Sequence, residues 1–90
     1  MFYYIYILQS QKNYNLYVGV TANLRNRLAE HNRGENLSTK NGVHWVLIHY
    51  EAYRNQKDAL RRERYLKTSQ GSRLLKRMLK EYFYERKKKQ

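Results

Sequence analysis

Two apolar, aromatic-rich runs, Phe2 to Leu8 and Leu16 to Val20, lie so close along the chain that only one pairing is open to them. The polar stretch Gln9 to Asn15 is long enough for a hairpin loop but too short for the dozen or more residues of a parallel crossover. Tyr, Ile and Val favour the pleated, half-buried surface of a strand, so the two runs read as an antiparallel hairpin. Everything downstream must pack on or beside it.

Thr21 reads as the cap of a helix over residues 22–32, with Ala22, Leu24 and Leu28 as its apolar positions and Gly34 as its stop. The polar segment Gly34 to Val43 reads as a surface loop able to touch a substrate. Trp45 to Tyr50 returns to strand-favouring residues, and Asn55 followed by Asp58 resembles a capping box that opens a second helix over 56–68. Ser69, Gly71 and Ser72 read as a break. Beyond it, Leu74, Leu75, Met78, Leu79, Tyr82 and Phe83 recur at helical spacing and predict a third helix. The expected class is α+β: a three-stranded antiparallel sheet flanked by helices, in the order β-β-α-β-α-α. One domain is expected over residues 1–85, with a fraying basic tail over 86–90.

A chain of 90 residues supports one modest core and leaves no room for a separate targeting module of any size. Cysteine is absent, which excludes disulfides and thiolate metal sites and suits a reducing, cytoplasmic setting. No apolar run reaches the roughly 18 residues a membrane span needs, and Met1 to Leu8 lacks the basic start of a signal peptide, so a soluble, unprocessed protein is expected. The formal charge of +12 calls for a polyanionic partner. Residues 61–90 hold twelve of the nineteen Lys and Arg and three acidic residues, a distribution that suits nucleic acid phosphates. A peripheral membrane role for the last helix and tail is disfavoured, because Leu74 to Phe83 is needed as core.

Among residues able to carry chemistry, Glu63 is the most informative. On a helix it projects between Ala59 at about −40°, Leu60 at about +60° and Leu66 at about −60°, in the middle of the apolar stripe. A carboxylate there needs a cation or donors. A divalent metal meets that need, and so does an ion pair with Lys67 at the i, i+4 offset. Asn23, Arg27 and His31, spaced by four, line one side of the first helix, where a guanidinium can grip phosphate oxygens and an imidazole can exchange protons. An ordinary polar outer face would show the same spacing. Ten tyrosines include Tyr3, Tyr4, Tyr6 and Tyr17 in the hairpin, most of them suited to packing, though a phenol beside a cation can act as a general base. Gly19 leaves a gap in the pleat, and pairing Tyr6 with Tyr17 would set Tyr4 opposite Gly19.

Tyr4-Ile5-Tyr6 and Tyr17-Val18-Gly19 resemble the two tripeptides that name the GIY-YIG nuclease superfamily. The run from Tyr17 to Gly34, with Thr21, Leu24, Arg27, His31 and Asn32, and the block Ala59 to Lys67 around Glu63 extend the likeness over nearly the whole chain. It is nearest to small single-domain bacterial members. The resemblance implies an endonuclease that hydrolyses phosphodiester bonds in DNA with one divalent metal, Mg2+ or Mn2+, in a repair or recombination setting. It implies Glu63 as the metal ligand, Tyr6 and Tyr17 beside the attacking water with Tyr17 the favoured base, Arg27 on the scissile phosphate and His31 assisting. Lys40, Arg61, Arg62, Lys67 and Arg73 are the expected backbone contacts. Two departures stand out: Tyr4 replaces the glycine of the first tripeptide, and no asparagine follows Asn55, leaving Ser69, Gln70 or Ser72 as stand-ins. A DNA- or RNA-binding protein that keeps the fold without catalysis is the alternative.

Overall fold

A computed structural model describes residues 1–88 of the chain. Strands β1 (Tyr3–Ser10) and β2 (Leu16–Thr21) form the expected antiparallel hairpin, and β3 (Trp45–Tyr53) joins the other side of β1, giving the sheet order β2-β1-β3. Helices α1 (Leu24–Asn32), α2 (Gln56–Leu66), α3 (Ser69–Met78) and α4 (Lys80–Lys88) complete an α+β architecture with one helix more than expected.

The sheet is covered on both faces, and the alternation of β1 decides what each face receives. Ile5 and Ile7 point into an aliphatic cluster with Val18, Ala59, Leu66 and Leu75, built by α2 and α3. Tyr6 and Leu8 point the other way, into a cluster with Trp45, Tyr17, Leu24 and Leu28 beneath α1. The hairpin register differs from expectation by two residues: Tyr6 lies opposite Gly19, Tyr4 opposite Thr21 and Tyr17 opposite Leu8. β1 runs on through Gln9 and Ser10, so the turn is tighter than the polar stretch suggested. Because the slip is even, every side chain keeps its face.

Local capping explains the remaining boundary differences. Asn23, not Thr21, is the α1 cap: its side chain accepts from the Asn26 N–H, while the Thr21 hydroxyl accepts from the Asn23 N–H. Asn55 caps α2 as expected, accepting from Lys57 N–H, but Asp58 turns to Arg61 instead of completing a capping box. The expected break at Ser69, Gly71 and Ser72 is the first turn of α3, capped by Thr68, whose hydroxyl accepts from Gly71 N–H and donates to the Tyr65 carbonyl. Gly71 is there for close approach: a Cβ would collide with the Tyr65 carbonyl oxygen at the end of α2. The expected third helix is instead divided at Leu79, and Met78 is 41% exposed rather than core. Tyr82 of α4 donates to Gln9 Oε1 at 2.6 Å, docking α4 on the end of β1. Residues 86–88, expected in the tail, lie within α4, and Lys89 and Gln90 fall outside the described residues. No described helix is long and apolar enough to cross a membrane.

Candidate active site

Tyr6 is the centre of the α1 face. Its ring lies across β2 above Gly19, where a Cβ would run into the phenol, so glycine is the residue that lets the tyrosine cross the strand. Its oxygen accepts from Arg27 Nε at 3.3 Å and is 2.9 Å from His31 Nε2. The polar stripe of α1 therefore faces the sheet, because the phenol gives Arg27 and His31 a partner there. His31 is fully buried, and its Nδ1 lies 2.7 Å from the Thr39 hydroxyl. Burial and the nearby Arg27 charge hold the imidazole below its ordinary pKa, against a smaller upward pull from Glu30. A neutral imidazole accepts on one nitrogen and donates from the other, so Tyr6, His31 and Thr39 form a chain along which a proton can move.

Arg27 is gripped on two sides, by Tyr6 and by Glu30 Oε1 at 2.8 Å from its Nη1, and both bonds raise its pKa further. Its Nη2 carries no partner among the described residues, and the side chain is 34% exposed. Tyr17 packs beside this cluster, its ring 5.0 Å from that of His31 and 6.2 Å from that of Tyr6. It differs from Tyr6 in access. Tyr6 is 1% exposed, whereas half-buried Tyr17 borders a groove of about 290 Å³ shared with Lys67 and Ser72. Burial pushes the Tyr6 phenol up, and the Arg27 hydrogen bond pulls it down.

The loop after α1 is a support as well as a surface. Asn32 lends its side-chain amide to both the N–H and the carbonyl of Trp45, fastening the end of α1 to the start of β3 like an extra rung. Trp45 Nε1 donates to the Thr39 carbonyl, and Thr39 in turn holds His31. Nothing in the polar run Gly34 to Val43 distinguished Thr39 from its neighbours. Glu30 could have been found, because it follows Arg27 at the i, i+3 offset.

Glu63 makes the ion pair that its spacing permits, with Lys67 Nζ at 3.3 Å, and its side chain is 20% exposed. Among the described residues no three His, Cys, Asp or Glu side chains gather as a metal cluster. The expected phosphate contacts divide. Lys40 and Arg73 are exposed, Lys67 shares its charge with Glu63, and Arg61 pairs with Asp58 at the open surface. Arg62 places its fork on Glu51 at 2.9 and 3.1 Å, tying α2 to β3. Burial alone would raise the Glu51 pKa, but hydrogen bonds from Arg62, His49 and Tyr53 outweigh it and hold the group at about 2. Of the possible stand-ins for the absent asparagine, Ser72 reaches the groove beside Tyr17, and Ser69 and Gln70 are exposed.

A buried tyrosine held by an arginine and a histidine, with a second tyrosine packed beside them, is the polar centre of this sheet. The family model of the GIY-YIG catalytic domain matches residues 2–78, and the chain belongs to that nuclease superfamily. It is 36% identical to UPF0213 protein SH2523 of Staphylococcus haemolyticus over 75 residues, 82% of this chain and 90% of that one. It is 40% identical to a UPF0213 protein of Pediococcus pentosaceus over 62 residues, 68% of this chain and 64% of the other. Against UPF0213 protein HQ_3675A of Haloquadratum walsbyi the identity is 34% over 68 residues, covering 74% and 75%. No solved structure is a significant match.

Proposed function

We propose that the protein is a metal-dependent endonuclease that hydrolyses phosphodiester bonds in DNA, serving repair or recombination. The observation that supports this reading is the gathering at the Tyr6 phenol of Arg27 and His31 from α1 and of Tyr17 from β2. Tyr17 is the better base, since it borders the groove and can meet water, whereas Tyr6 is sealed. Tyr6 then fixes the Arg27 fork, whose free Nη2 supplies a donor for the extra negative charge of the transition state. His31 and Thr39 keep Tyr6 in place and offer its proton an exit.

Glu63 fits a hard cation: it is a half-buried carboxylate whose one charged partner is the flexible, 52% exposed Lys67. A Mg2+ or Mn2+ ion held there would act as a Lewis acid on the phosphate and steady the departing oxygen, taking its other ligands from water and substrate. The exposed Lys40 and Arg73 and the displaceable Lys67 would hold the backbone.

The alternative, a DNA- or RNA-binding protein without catalysis, draws on the Glu63–Lys67 pair, which occupies the very carboxylate the metal needs. Nicking of supercoiled plasmid in Mg2+, with Glu63→Gln beside wild type, separates the two. The nuclease reading expects loss of nicking in Glu63→Gln and on chelation. Nicking that survives both, or its absence from wild type, refutes it.

A further inference from the structure

A second concavity lies away from the Tyr6 cluster. It is a groove of about 1140 Å³ between the β1–β2 turn and helices α3 and α4. Tyr14 stands on one wall and Tyr84 on the other, 46% and 60% exposed, with Phe83 beside them. Lys76, Lys80 and Lys87 reach the same groove against one acid, Glu81, and none of the three lysines is in an ion pair among the described residues.

Two details suggest that this surface is built. Tyr14 has φ +63°, a left-handed conformation in which a bulky side chain is rare and strained, although Asn13 and Asn15 flank it and asparagine adopts that backbone readily. The cost places a ring over the groove. The Arg86 guanidinium stacks on that ring at 4.4 Å, yet its buried Nε has no partner among the described residues, so the cation keeps an unused donor beside an aromatic face.

We propose that this groove binds an unpaired nucleic acid strand, its bases stacking on Tyr14 and Tyr84 and its phosphates meeting Lys76, Lys80 and Lys87. Aromatic faces interleaved with lysines are the chemistry of single-strand binding, since stacking accepts any base and the cations follow the backbone. A blunt duplex offers no free base face to either ring. The groove also adjoins the candidate active site: Leu16 and Ser72 line both this groove and the smaller one that contains Tyr17 and Lys67. A strand leaving Tyr17 passes Ser72 and enters between the turn and α4. The inference rests on the nuclease reading for its direction and adds a substrate class to it: duplexes that carry a single-stranded flap or overhang.

Binding in EDTA, read by anisotropy of labelled oligonucleotides, tests the groove without any need for cleavage. Wild type is expected to hold a twelve-nucleotide single strand and an overhang duplex about tenfold more tightly than a blunt duplex of equal charge. In Tyr14→Asn with Tyr84→Ala that ratio falls to about one. Tyr14→Asn also relieves the strained backbone, so a folding failure is not expected, and Lys80→Gln at the open surface provides a second variant that lowers single-strand affinity a few-fold. Equal affinity of wild type for blunt and overhang DNA, or an unchanged ratio in the double aromatic variant, overturns the proposal. Displacement of the oligonucleotide by anionic vesicles in preference to competitor strand does the same. A protein that shows the binding preference but never nicks DNA loses the nuclease reading and keeps the groove; one that nicks blunt and overhang DNA alike and binds them alike loses the groove.

Discussion

The two faces of the sheet bury different kinds of side chain and use them for different ends. Beneath α2 and α3, Ile5, Ile7, Val18, Ala59, Leu66 and Leu75 make a cluster without a polar atom in a buried side chain. Beneath α1, the buried groups are Tyr6, His31, Thr39, Ser10 and Trp45, nearly all of them hydrogen-bonded. One strand feeds both, because alternate residues of β1 point to opposite sides. An aliphatic layer supplies non-directional burial free energy, whereas a hydrogen-bonded polar layer fixes groups in position at little net gain in stability. A small chain can therefore place its chemistry on one face and most of its stability on the other.

The sharpest way to break that division is to truncate one residue on each face. Arg27→Ala should lower nicking by about two to three orders of magnitude, the scale of losing a preorganised donor to a developing charge, with the melting temperature within about 5 °C of wild type. Ile7→Ala, by contrast, should cost about 2 to 5 kcal/mol through the lost burial and the cavity left behind. For a domain of this size that lowers the melting temperature on the order of 15 °C, while the folded fraction keeps its specific activity. Thermal melts and plasmid nicking on the same preparations decide it; an Arg27→Ala protein that melts as early as Ile7→Ala would dissolve the distinction.

Two glycines test the same idea at smaller scale. An alanine at Gly71 meets backbone, the Tyr65 carbonyl, so α2 and α3 must separate and about 1 to 3 kcal/mol is lost. An alanine at Gly19 meets the end of a side chain, the Tyr6 phenol, which must leave its position between Arg27 and His31. Gly71→Ala is expected to shift the melt more than the activity, and Gly19→Ala the activity more than the melt.

Acid separates the faces as well. The folded pKa of His31 lies below its ordinary 6.5, so the unfolded chain binds the proton more readily. Its contribution to stability is complete above about pH 6.5 and is lost as the pH falls through the lowered value. Glu51, on the α2 side, contributes fully above about 4.5 and loses that contribution only as the pH falls through about 2. Melting temperature followed from pH 7.5 to 4 should decline first because of the α1 face, and His31→Gln should flatten that decline. An unchanged slope in His31→Gln would remove His31 as its cause.

What the sequence made legible follows the same physics. Strand runs, the antiparallel sheet and the long apolar stripes were visible because they obey simple periods. The hairpin register was not, since Gln9 and Ser10 read as loop although Ser10 is buried, with its hydroxyl donating to the Gly42 carbonyl at 2.6 Å. Gly71 carried the usual sign of a helix end, yet its role is close packing that depends on where α2 stops. Helical spacing singled out Glu63 and the Arg27–His31 face and motif likeness gave them, with Tyr6 and Tyr17, their expected roles; spacing left Glu63 divided between metal and Lys67, and the direction of the Arg27 and His31 face depended on a phenol 21 residues from Arg27 in the chain. Thr39 had no local signal, because its importance comes entirely from the buried imidazole it touches.

The smallest expected effect bears on the division left open at Glu63. Lys67 is 52% exposed and its bond to Glu63 is long, so as an i, i+4 surface pair it contributes roughly 0.3 to 0.5 kcal/mol. Lys67→Ala should therefore move the melting temperature by less than about 3 °C. Its effect on the cation should be larger, because a positive charge beside the carboxylate opposes a second one. Removing it should lower the Mg2+ concentration for half-maximal nicking about two- to fivefold, the factor that about 0.5 to 1 kcal/mol of released repulsion gives. If Lys67 also grips phosphate, KM for DNA rises in the same variant, and the two changes are separable by titrating metal at saturating DNA and DNA at saturating metal. A large fall in melting temperature with no change in metal requirement would mean that the pair serves the fold, and would make Glu63 a structural residue.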